Sequence, residues 1–348
     1  MKPNRSSFLR LAGGKSVLTA MDGGQERTKT VMMILNIIVA VAILAVGWVI
    51  VYYLVWERFL DRVPELQMVI GELRLTSLVW WIKVFDFLLM ILTIIIAVIG
   101  TIWVLVHVIA ELPDTGKWIF YWRSPEGRRD VWVLKLTLSH RLQHVVMILT
   151  FLICMITGFI MYYTPNVQWI DTLYMLHVIS GIIMGMLVLA HFFYYSTIFI
   201  GVSLTRGFQA AVNSFPMLSI YSFSYLRSLI ETILWGLGKV PRPKYHKYNP
   251  EQLFEYWGVY WGILILGVPG LLMALYGSGL LEGTLWHLHF TEAVLAVTFI
   301  VIVHIGFGHA RPYNFPVDLT FIHGKIPLKR IEEEHPLWLE ELKSKGEV

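Results

Sequence analysis

Six apolar stretches dominate this chain, and each is about the length that a helix needs to cross the hydrocarbon of a bilayer, roughly 20 residues. They are Val31–Trp56, Phe87–Ala110, about Val145–Tyr163, Leu173–Ile200, about Tyr256–Tyr276 and Leu288–Phe307. With 56% hydrophobic and 15% charged residues, the composition fits a multi-pass membrane protein and not a soluble globule, which usually carries about 25% charge. The first stretch is too long for a cleaved signal, and only Glu57-Arg58 follows it. A formal charge of +4 is too small to argue for nucleic acid. One cysteine, Cys154, excludes a disulfide framework, thiolate-built zinc or iron–sulfur sites, and covalently attached haem.

Lys and Arg set the expected orientation. Six precede the first stretch (Lys2, Arg5, Arg10, Lys15, Arg27, Lys29), five lie in 111–139, six in 201–255 and six after His309. The connections 164–173 and 277–286 hold none, and 57–86 holds four. This alternation predicts both termini and the two long basic loops on the cytoplasmic side. The expected fold is all-α, in three parts. Residues 1–136 form a tail, a two-helix hairpin and its loop; 137–310 form a four-helix bundle; 311–348 form a cytoplasmic tail. Within the long loop, Phe223–Val240 has the pattern of a helix lying on the membrane surface, ended by Gly238 and Pro241.

Histidines carry the chemistry. His177 and His191 are fourteen residues apart on segment four, and His289 and His304 fifteen apart on segment six. At about 100° per residue these spacings return to within about 40° and 60° of the starting face, with about 21 Å between the two levels. Segments four and six run in the same direction, so this geometry sets His177 opposite His289 and His191 opposite His304. Paired imidazoles in hydrocarbon suit haem iron, whereas zinc calls for more ligands, usually with thiolate or carboxylate. Gly158, Gly181, Gly185, Gly262, Gly267 and Gly270 would let a porphyrin approach the backbone. A lone intramembrane histidine often serves only to bond neighbouring helices; four at matched spacings argue for function. His287, His107, His246, His323 and His335 read as interfacial or surface residues. Glu292 reads as a proton-relay carboxyl or a satisfied interfacial one.

Several stretches carry a family resemblance: Arg141-Leu-Gln-His144 with Thr157-Gly158, His177-Val-Ile-Ser-Gly181, Lys247-Tyr-Asn-Pro-Glu-Gln252, His289 with His304, and Gly324-Lys325 with His335-Pro-Leu-Trp338. Over roughly residues 137–345 the chain resembles the di-haem cytochrome b (gamma) subunit of formate dehydrogenases and of related Ni-Fe hydrogenases and thiosulfate reductases. The resemblance implies two haems b. The periplasmic one would be held by His177 and His289 and the cytoplasmic one by His144 and His304, with a menaquinone or ubiquinone site beside the latter at Asn249. It also implies a periplasmic iron–sulfur partner subunit and a bacterial or archaeal cytoplasmic membrane. Arg141 is a candidate for a haem propionate.

His191 departs from that pattern, and the spacing of fourteen and fifteen is similar to cytochrome b6 of quinol-oxidising complexes. His304 thus has two candidate partners, His144 and His191, with helix geometry on the side of His191. The remaining histidine, with His140, His309 or His107, leaves room for a third haem. The expectation is an electron-transfer subunit of a quinone-linked oxidoreductase, not a catalyst alone. The alternatives are a b6-like quinol-oxidising core working with multihaem cytochromes and a haem-free membrane anchor or transporter.

Overall fold

The computed structural model describes residues 23–72 and 77–348. Lys2, Arg5, Arg10, Lys15 and Arg74, counted above for orientation, lie outside the described residues. Among the described residues six helices are long and apolar enough to span a membrane, as the hydropathy predicts: α1 (Glu26–Gly71), α2 (Leu78–Glu111), α3 (Leu138–Tyr163), α4 (Ile170–Arg206), α5 (Pro250–Tyr276) and α6 (Leu280–His309). The chain is an all-α, multi-pass membrane protein.

α1 outruns its expected end at Trp56. Its 46 residues reach about 70 Å, more than twice the hydrocarbon thickness. After a π turn at Tyr52–Trp56, an amphipathic stretch from Glu57 to Glu72 continues it. The charges there, read from sequence as loop, have partners on the next helix: Arg62 bonds the buried Asp86, and Glu65 pairs with Lys83 at 3.2 Å. A helix whose polar groups are met by its neighbour has no reason to stop at the apolar boundary.

α2 buries a seam of Asp86, Met90, Thr93, Ala97, Gly100, Val104, His107 and Glu111, at alternating steps of four and three residues. That spacing places all eight on one face. The seam packs on α6, so closely that a Cβ on Gly100 would stand 2.9 Å from Val303 and 3.1 Å from Ile302. α6 is therefore the central helix, with 56% of its apolar window buried against at most 33% in the other five. The hairpin covers one side of it and α3–α5 the other.

Short connections join α3 to α4 and α5 to α6 at what we term the turn end. The long loops and the C-terminal tail gather at the tail end. There, Lys325–Pro327 pairs antiparallel with Trp132–Leu134. Gly324 takes φ +79°, and its carbonyl accepts from the Lys135 and Leu136 N–H groups at 2.8 and 2.9 Å. Glu334 accepts from Arg330, Arg311 and Trp118 at 3.1–3.2 Å, Arg330 also reaches Asp318 at 2.8 Å, and Arg311 lies 3.4 Å from Glu111. The arginines hold the Asp318 and Glu334 carboxyls well below the usual range despite burial.

His335, expected at the surface, is buried. Its Nδ1–H donates to the His246 carbonyl at 2.7 Å, and its Nε2 faces the Lys135 ammonium at 3.0 Å. Tail charges paired with one another form a core where composition alone suggests a solvated segment. The surface helix forms at Phe223–Gly236, with Ser222 as its cap and Phe223, Leu226, Ile230 and Ile233 exposed.

Candidate functional site

Two imidazole pairs face one another across the bundle at two levels. At the turn end the His177 and His289 ring centroids are 6.0 Å apart, with planes crossing at 67°. At the tail end His144 and His304 stand 6.2 Å apart at 65°. Two imidazoles bound through Nε2 on opposite sides of one metal, with bonds of about 2 Å, place their centroids about 6.3 Å apart. Both pairs thus have the spacing of axial ligands to a single iron.

Three of the four other ring nitrogens are pinned. His177 Nδ1–H donates to Thr157 Oγ1 at 3.0 Å, because that hydroxyl spends its own proton on the Ile153 carbonyl. His289 Nδ1–H donates to the Leu266 carbonyl at 2.8 Å, and His304 Nδ1–H to Glu255 Oε2 at 3.1 Å. Pinning Nδ1–H fixes the tautomer and leaves the Nε2 lone pair to face the partner ring, which is how ligating histidines are usually held. His144 Nδ1 is buried without a hydrogen-bond partner.

Two of the glycines read from sequence seat the turn-end rings. A Cβ on Gly270 would lie 2.9 Å from His289 Cε1, and one on Gly158 3.2 Å from His177 Cε1. At Gly181, Gly185 and Gly262 a Cβ would meet no protein atom within 4 Å, so a flat ligand could approach the backbone of α4 and α5 there. The donor set, the spacing and these cradles fit haem.

His304 lies in a ten-residue π-helical segment, Ile300–His309. A π turn sweeps roughly 80° per residue instead of 100°, so His304 returns nearly to the face of His289 and not 60° away from it. Its ring neighbours are His144 and, at 4.9 Å, His309. The expectation of His191 opposite His304 gives way here: His191 lies beside His140 (5.9 Å), Tyr195 and Tyr256. His309 joins His144 and His304 in a cluster whose nearest ligand atoms lie within 4.8 Å of one another.

A cavity of about 340 Å³ opens beside the tail-end pair, walled by His144, His191, Asn249, Gln252, Tyr256 and Tyr260 among others. Asn249 caps α5: its Oδ1 accepts from Gln252 N at 2.8 Å, and Gln252 Oε1 accepts from Asn249 N at 3.3 Å. The Lys-Tyr-Asn-Pro-Glu-Gln stretch is thus a capping box with proline at the first helical position, and it sets that amide on the cavity wall. Tyr260 Oη is buried there without a hydrogen-bond partner.

Arg141 does not line the cavity. It donates to the Ile322 carbonyl and helps seat the tail. His107, expected at the interface, is buried between Trp103, Phe307 and Trp235. His287 bonds Arg58 at 3.1 Å, and Glu292 is almost wholly buried in α6. His140 beside His191 is one of the groupings that the sequence left open, whereas the cluster of His309 with His304 escaped sequence reasoning; five-residue spacing from His304 was the available signal.

No protein-family model, curated protein or solved structure matches the chain.

Proposed function

We propose that this chain is a membrane-embedded b-type cytochrome carrying electrons between a quinone at the tail-end cavity and a redox partner at the turn end. One observation carries the reading: two imidazole pairs at axial-ligand spacing, with one member of each on α6, about 20 Å apart along its axis. His177 and His289 would hold one haem b, and His144 and His304 a second. The haems would supply one-electron chemistry.

The chain's own residues do the rest. Thr157, the Leu266 carbonyl and Glu255 orient the ligands, the spanning helices exclude water, and Asn249 and Gln252 offer amides to a quinone headgroup. With the basic loops and tail placed in the cytoplasm, the quinone site lies near that face. The short, weakly charged connections at the opposite face would receive an iron–sulfur or multihaem cytochrome subunit.

A reduced-minus-oxidised spectrum of the purified chain, made with ample haem supply, tests this. The expected result is a b-type signal from two haems per chain, by the ligand pairing above. His177→Ala should remove one haem and His144→Ala the other. A colourless protein overturns the reading. The His144, His304 and His309 cluster favours a second reading, a three-histidine non-haem metal site; a colourless protein that retains a stoichiometric transition metal would establish it.

A further inference from the structure

The cavity has a second set of titratable groups that ligation does not use. His191 Nδ1–H donates to Gln143 Oε1, which leaves its Nε2 as the acceptor for the Tyr256 hydroxyl. Tyr195 packs on His191 and Tyr256 with ring centroids 4.9 and 6.2 Å apart, and its hydroxyl reaches His140 Nε2 at 3.3 Å. His140 Nδ1 in turn bonds the Thr137 hydroxyl at 2.7 Å, at the exposed start of α3. His140, Gln143, His191, Tyr195 and Tyr256 all line the cavity.

We infer that Tyr256, His191, Tyr195 and His140 form a proton relay between a quinone in this cavity and the aqueous rim beside Thr137. The inference rests on the quinone reading of the cavity. Oxidation of one quinol releases two electrons, which pass to the haem chain, and two protons, which need acceptors at the headgroup. As Tyr256 passes its hydroxyl proton to His191 Nε2, it takes one from the quinol. Rotation of the hydroxyls then hands a proton from this pair to Tyr195 and on to His140, which releases it to water at the rim, and the relay, back in its starting state, takes the second quinol proton in the same way. Quinone reduction runs the same steps backwards. The ring spacing of His140 and His191 matches that of the two ligand pairs. Both Nε2 atoms, however, are engaged by tyrosine hydroxyls, which separates this cluster from a third haem site.

The test uses the full haem-loaded chain, reduced either by a water-soluble naphthoquinol or by dithionite in a stopped-flow instrument. Tyr256→Phe removes one hydroxyl, and His191→Gln removes the base. Each should slow haem reduction by the quinol about ten-fold or more. Haem content, absorption bands and dithionite reduction should stay unchanged. Added imidazole should restore part of the rate in His191→Gln. Full quinol rates in both variants overturn the relay alone, and loss of a haem from His191→Gln overturns it by making His191 a ligand. A wild-type chain that is colourless, or whose haems the quinol cannot reduce, overturns the underlying reading together with the relay.

Discussion

Single atoms decide whether the turn-end ligands can stand where they do. Gly270 is the tightest case, since a methyl group there would press on His289 Cε1 at 2.9 Å, inside ordinary contact. The ring cannot yield without losing the bond from its Nδ1–H to the Leu266 carbonyl. Gly270→Ala should therefore remove the turn-end haem and leave the tail-end one, read as a halving of the reduced-minus-oxidised signal. At this scale the sequence was only partly legible. Which histidines lie in the membrane follows from hydropathy, and the glycines beside them were visible. Whether a glycine accommodates a porphyrin or an imidazole depends on which helix crosses it, and one-dimensional spacing does not carry that.

Among the elements, α6 shows most plainly what periodicity can and cannot give. Its apolar content announced a span, but the i→i+5 pattern over Ile300–His309 leaves no mark on composition. Assuming 100° per residue throughout put helix geometry on the side of His191 and left the partner of His304 open, whereas the π turn directs that ring to His144. Deleting Val301 should let the π segment tighten to α-helix, and the fourteen remaining steps at about 100° then leave His304 within about 40° of the His289 face. Both haems should be kept, in visible spectra of the purified variant. The end of α1 was missed for another reason. Glu57, Arg58 and Arg62 look like a loop until Asp86, Lys83 and His287 are seen to meet that stretch from α2 and α6.

Over the whole molecule, the tail closes the cavity end through buried charge. Burial pushes the Lys135 ammonium down to about 7 and holds His335 well below its usual value. Both bases bind fewer protons docked than undocked, so docking strengthens as pH rises. Lys135 contributes this slope between about 7 and its ordinary 10.5, and His335 contributes it below 6.5. Cleavage of 311–348 by a broad-specificity protease should be faster at pH 6 than at pH 9, and Lys135→Met should flatten the upper part of that profile. A tail released equally at both values would show that these two bases do not govern docking. Such a core was hidden in the sequence, because Asp318, Arg330 and Glu334 read individually as solvated charges and become interior only as a set.

The central position of α6 has a mechanical corollary. Both imidazole levels hang from one rod, clasped along its length by the Gly100 seam of α2 and, from the opposite flank, by the bundle. The gap between them is accordingly gauged by fifteen residues of a single backbone. Loops may rearrange and neighbours may come and go, yet that ruler keeps its marks unless the rod itself is cut or rewound.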